Sequence, residues 1–238
     1  MHFSIILYHK IFMDNTQNRK IIILCLASAF ANAAFSYIIS GLLNVPLYAD
    51  TIFTVAMCFT AGMFAGILTG AVFSPLFFFL VFKFILNVPL DVALLRNVFI
   101  ICIMAEVFLV CHFYTKIKTR ESAFLEKLAS KQDILFAFIP VAVQLLLLVV
   151  LDCIVISVLG GIIELIIEQF SVPWKYSPSD IFKLGFLRNN APSFIADILS
   201  QIPINIVDRF IAIFGGYGIS LVFRRWLSTN NQQLRHEY

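Results

Sequence analysis

Charged and amide side chains are scarce in this chain, and their positions limit the chemistry open to it. Asn205, Asp208 and Arg209 lie near the start of an otherwise apolar stretch, 202–227. Asp50, Thr51 and Thr54 open another such stretch, and Lys83 and Asn87 close the next. Arg96 and Asn97 begin a fourth, and Asp152 and Ser157 lie late in a fifth. A charge inside an apolar span is costly, so it faces a cavity or a partner. If these stretches alternate in direction, all the groups fall at one end, as a polar-lined pocket open to the outer face would require. A plainer reading stays open: Lys83 and Arg96 snorkel to headgroups, while adjacent Asp208 and Arg209 point to different neighbours for packing alone.

Glu106 sits deeper, towards the other side. It is either neutralised or paired by a neighbouring helix, or it is a proton-linked carboxylate. His112 marks the inner end of its span, and Asn32 and Gln144 suit hydrogen bonds between helices. Catalytic sets are missing from the sequence: there is no GxSxG, HExxH or P-loop pattern and no Cys/His metal spacing. The five cysteines all lie in apolar runs and serve as packing residues. The expected protein is therefore not an enzyme, carries no cofactor or metal, and has no nucleic-acid partner.

The elements that must position these groups follow from composition. Of 238 residues, 61% are hydrophobic and 13% charged. A soluble domain has roughly 45–50% and about 25%. Mean hydropathy is +0.93. The expected fold is all-α, a polytopic membrane bundle. Stretches 21–43, 64–86, 92–114, 134–159 and 202–227 are long enough to cross a core that takes about 20 helical residues. A shorter helix, 49–63, precedes the break at the glycine run Gly62, Gly66, Gly70. That makes six transmembrane helices in a domain 21–227, with flanks 1–20 and 228–238. Basic residues gather at Lys10, Arg19 and Lys20, in an expected loop 115–133 with Lys116, Lys118, Arg120, Lys127 and Lys131, and at Arg224, Arg225 and Arg235. Six crossings place all three groups on one face, which the positive-inside rule makes cytoplasmic, with both termini inside.

Segment 160–201 is expected as an additional outer piece. Residues 160–170 would form an amphipathic helix after a Gly-Gly break, with Glu164 and Glu168 one turn apart. Residues 171–190 carry Trp174 and Tyr176, suited to headgroup level. Residues 191–201 would be a further outer helix, with Pro192 at its first turn.

With spans, orientation and the Asn44–Pro75 stretch NVPLYADTIFTVAMCFTAGMFAGILTGAVFSP in view, the chain resembles the substrate-binding (S) component of energy-coupling factor (ECF) transporters. The first span also carries an Ala-x-x-x-Ala pattern, Ala27 with Ala31 or Ala29 with Ala33. The resemblance implies capture and uptake of a vitamin or related micronutrient near the outer face. The binding residues would be Asn44, Tyr48, Asp50, Thr51, Lys83, Asn87, Arg96, Asp152, Asn205, Asp208 and Arg209. It further implies docking through Ala27 and Ala31 onto a transmembrane coupling subunit driven by two cytoplasmic ATPases. The mixed charges would suit a zwitterionic or polar heteroaromatic molecule. Segment 160–201 is longer than a compact S component needs and would be a lid or an insertion. Two other functions are compatible with the same residues. A membrane sensor module would have to signal through a separate protein, since so few residues follow the last span. A stand-alone proton-coupled carrier would use Glu106, but the sequence shows no inverted repeat.

Overall fold

The computed structural model describes residues 15–85, 96–130, 134–169 and 179–236. All regular structure among them is helical. Helix α1, Asn15–Ser36, passes through a π-helical turn, Tyr37–Leu42. Helix α2 is Ile52–Ala61. Helix α3 runs over Met63–Ile85. Helix α4 opens with a 3-10 turn, Arg96–Phe99, and continues over Ile100–Ser130. Helix α5 is Ile134–Gln169 and α6 is Asp180–Arg188. Helix α7 begins at Ser193–Phe210, passes a π-helical turn at Ile211–Gly215, and ends as Gly216–His236.

Five of these helices are long and apolar enough to cross a membrane, and α2 is a shorter apolar helix. The side-chain distribution is inverted relative to a soluble protein. Phe64, Phe84, Val222 and Ile23 are largely exposed, whereas Asn32, Glu106, Asp152 and Arg209 are buried. Lipid favours this arrangement, because apolar side chains need no cover there while polar groups need internal partners. The chain is a multi-pass membrane protein.

Helix α2 forms the centre of the bundle. Val55, Cys58 and Phe59 pack with Val107 and Val110 of α4, Val141, Leu145 and Leu148 of α5, and Ile213 and Tyr217 of α7. Its ten residues rise only about 15 Å, half of the ~30 Å hydrocarbon core. Gly62 ends it with φ +85°, a left-handed turn that a side chain would strain. The chain then reverses, so that Gly66 faces Cys58 and Gly70 faces Thr54 across an antiparallel pair. A Cβ on Gly66 would lie 2.3 Å from Cys58 Sγ, so the glycine spacing serves this close approach. The expected break near the glycines is thus a hairpin at Gly62.

Three sequence expectations need correction. Gly160 and Gly161 do not break a helix, since α5 continues through them to Gln169. A Cβ on Gly161 would meet the Ile198 backbone at 2.9 Å, so this glycine lets α7 cross α5 closely. Residues 193–201 are not a separate outer helix but the first turns of α7, which runs on through Pro203. The basic stretch after residue 115 is not a loop, because α4 carries its helix to Ser130. Trp174 and Tyr176 lie outside the described residues.

The bundle has two distinct ends. At one, Tyr48 meets Gln201. At the other, Ile21 and Leu24 of α1 pack near Phe223 of α7, and Glu121 of α4 meets Arg224. The stretches of α1, α4 and α7 beside these contacts, which bear Arg19, Lys20, Lys118, Arg120 and Arg225, therefore share the second end.

Candidate functional site

Between α1 and α2 the chain is not helical, yet it enters the bundle. Asn44 and Ala49 take left-handed conformations, φ +52° and +47°. Ala49 and Thr51 are buried. Irregular backbone at membrane depth survives only where protein satisfies it, and here side chains do so. Ser36 donates to the Tyr48 carbonyl at 2.7 Å. The Ala49 amide donates to Asp208 Oδ1 at 2.7 Å. Asn32 holds the start of α2 from α1: its amide donates to Thr54 at 2.9 Å and its carbonyl accepts from Phe53 N–H at 2.9 Å. Tyr48 donates to Gln201 at 2.9 Å, and Gln201 donates to Ser179 beside α6.

This segment delivers Asp50 and Thr51 to a buried guanidinium. Arg209 donates to Glu106 Oε1 at 2.6 Å and to Thr51 Oγ1 at 3.1 Å. Its Nη2 pairs with Asp208 Oδ2. Asp50 lies 3.8 Å from Nη2, and Asp152 lies 3.9 Å from Nη1. Thr51 also donates to Glu106. An unpaired arginine at this depth would carry a desolvation cost of several kcal/mol. Four carboxyl groups around one guanidinium reverse the problem, since they outnumber its single positive charge. Asp50 is the outlet of the group. Its side chain is 32% exposed, whereas those of Glu106, Asp152, Asp208 and Arg209 are at most 4% exposed.

Of the expected binding residues, Asp50, Thr51, Asp152, Asp208 and Arg209 converge here. Asn205 joins α7 to α5 one turn away, donating to Ser157 at 3.0 Å. Tyr48 stands between this cluster and Gln201. Asn44 is exposed. Lys83 belongs to the last turn of α3 and is not among Arg209's partners. Asn87 and the Arg96 side chain lie outside the described residues. Glu106, set apart by its depth in the sequence, is Arg209's closest partner on α4. Asp208 and Arg209 do not part to different helices but meet within one cluster, near the middle of the long helix α7. Gln201 and Asn32 carry more of the site than sequence reasoning gave them. Asn205 and Arg209 recur at the four-residue spacing that puts side chains on one helical face.

A second polar group binds the opposite end. Arg224 forks onto Glu121 with contacts of 2.6 and 2.9 Å. Tyr217 donates to Glu121 at 3.1 Å, and Arg224 donates to Tyr114 at 3.1 Å. Phe59 packs edge-on against both tyrosines. Tyr114 and Glu121, like Tyr217 and Arg224, are seven residues apart. That spacing stacks each pair on one face of its helix and was the available sign of this clamp.

On α1 the alanines divide. Ala29 and Ala33 are buried in the bundle, while Ala27 is exposed and Ala31 partly so. No protein-family model, curated protein or solved structure matches the chain.

Proposed function

We propose that this chain is the substrate-capturing subunit of an importer of the energy-coupling factor type, and that it binds a small polar molecule at the Arg209 cluster. The observation that carries this reading is convergence. A non-helical segment, α4, α5 and α7 each send ionisable side chains to one buried point, and only Asp50 retains substantial exposure. A bundle built for packing alone does not require four carboxylates round one arginine. In this reading the Tyr48 end is the outer face, and the basic Arg224 end faces the cytoplasm of the cell. The captured molecule is of the size and polarity of a vitamin or its precursor. Helix α1 offers Ala27 outward, a small residue over which a coupling subunit's helix can approach closely. That subunit, with two cytoplasmic ATPases, would supply the energy.

Affinity purification of the tagged chain from native membranes tests this. The expected result is recovery of a membrane coupling subunit together with ATPases. Ala27→Trp should remove those partners and leave the chain's own melting temperature unchanged. Recovery of a kinase without ATPases would replace transport with sensing. Proton-driven uptake by the isolated chain in liposomes, lost in Glu106→Gln, would replace it with a stand-alone carrier.

A further inference from the structure

Resting on the capture reading above, we infer that the molecule taken at the Arg209 cluster is a small organic cation with N–H donors, an amine or guanidine, held by Asp152, Glu106 and Asn205. The first ground is charge: four carboxyl groups face a single guanidinium, an acidic excess in a setting with little water. The second is independent and concerns hydrogen bonding. Both oxygens of Asp152, Glu106 Oε2 and Asn205 Oδ1 receive no N–H or hydroxyl donor from the surrounding protein. All three residues are buried. Buried polar atoms normally find a partner, and these four are all acceptors. The matching donor atom among them is Arg209 Nε. Asp152 is aimed at the cluster, with Oδ2 3.9 Å from Arg209 Nη1, the nitrogen that already donates to Glu106 and Thr51.

The same geometry disfavours an anion. Both terminal nitrogens of Arg209 are engaged by protein oxygens, so a carboxylate or phosphate would find only Nε as a donor, in an acidic surround. A bare metal ion fits poorly as well. Among the described residues no three histidine, cysteine or acidic side chains are grouped as metal ligands. A donor-bearing cation answers both the charge and the orphaned acceptors, and the partly exposed Asp50 marks its approach.

The test is thermal melting of the full chain in detergent micelles at fixed ionic strength. Ethylamine, 1,4-diaminobutane and agmatine are compared with tetramethylammonium, which has the charge but no N–H, and with malonate. At least one of the three amines should raise the melting temperature, while tetramethylammonium and malonate do not. Asp152→Asn should abolish the response. Asn205→Ala, which removes one acceptor, should weaken amine binding about tenfold, as loss of a hydrogen bond to a charged group implies, and keeps the test open if Asp152→Asn does not fold. Stabilisation by malonate, indifference to all three amines, or an equal response in both variants would overturn the inference. Indifference to all three amines is also what a proton shared by Glu106 and Asp152 would produce. Partner recovery is a separate readout. Coupling proteins recovered without amine binding would refute only the charge assignment, and amine binding without coupling proteins would refute only the transport reading.

Discussion

Arg209 and Arg224 are both paired with carboxylates, but their surroundings differ. Arg209 is 4% exposed and Arg224 25%. Removing one partner of a buried pair leaves an uncompensated charge, at a cost of about 3–5 kcal/mol, whereas water repays part of that at an exposed site. Arg209→Leu should therefore lower the melting temperature in micelles more than Arg224→Leu, and equal effects would refute the difference in burial. Arg209→Lys should fall between wild type and Arg209→Leu, because a point ammonium cannot fork to Glu106 and Asp208 together. Asn32→Leu should cost about 0.6–1.7 kcal/mol, the range for hydrogen bonds between membrane helices, read from denaturant unfolding. At this scale the sequence revealed which residue types were out of place in an apolar span. It concealed their partners. Arg209 reaches Glu106, 103 positions away, and only the path of the backbone through 43–51 brings Thr51 between them.

Helix crossings depend on where a Cβ is missing. At Gly161 an added Cβ would lie 2.9 Å from the Ile198 backbone, and at Gly216 2.9 Å from the Ile52 carbonyl. Backbone cannot yield as a side chain can, so Gly161→Ala should cost about 1–3 kcal/mol. Gly185 of α6 has nothing within 4 Å of its added Cβ. Gly185→Ala should leave stability unchanged or raise it by about 0.5–1 kcal/mol, since alanine is the better helix former. A melting series over the two variants checks the contrast. Ala29→Phe should destabilise the chain by overpacking the bundle, while Ala27→Phe should not, because Ala29 is buried and Ala27 exposed. The apolar lengths and the glycine-marked hairpin were legible because composition and period report them directly. The Gly160–Gly161 crossing was misread as a break. In sequence a helix-breaking glycine and a close-packing glycine look alike, and only the neighbouring Ile198 distinguishes them. The continuity of α7 through Pro203 was hidden for a different reason, as local propensity favoured an end that tertiary packing overrides.

Across the whole molecule, a short central helix follows an irregular segment whose last residues, Ala49 and Thr51, are buried in the bundle. Helix α2 runs towards the Arg224 end, where Phe59 meets Tyr114 and Tyr217. Before it, the Tyr48 carbonyl and the Ala49 amide are bound by Ser36 and Asp208. The proposed orientation has its own test. Cysteines substituted for Asn44 and Arg225 should react with a membrane-impermeant maleimide from opposite faces in intact cells, Asn44→Cys directly and Arg225→Cys only after permeabilisation. Labelling of both from one face would contradict it. The central claim is that the cluster around Arg209 holds a small molecule. Native mass spectrometry of the chain extracted from its own membranes addresses this most directly. The account predicts the mass of the polypeptide plus one small molecule, with the added mass lost in Asp152→Asn. The bare polypeptide mass in the unmodified chain, or an added mass that survives Asp152→Asn, would contradict it.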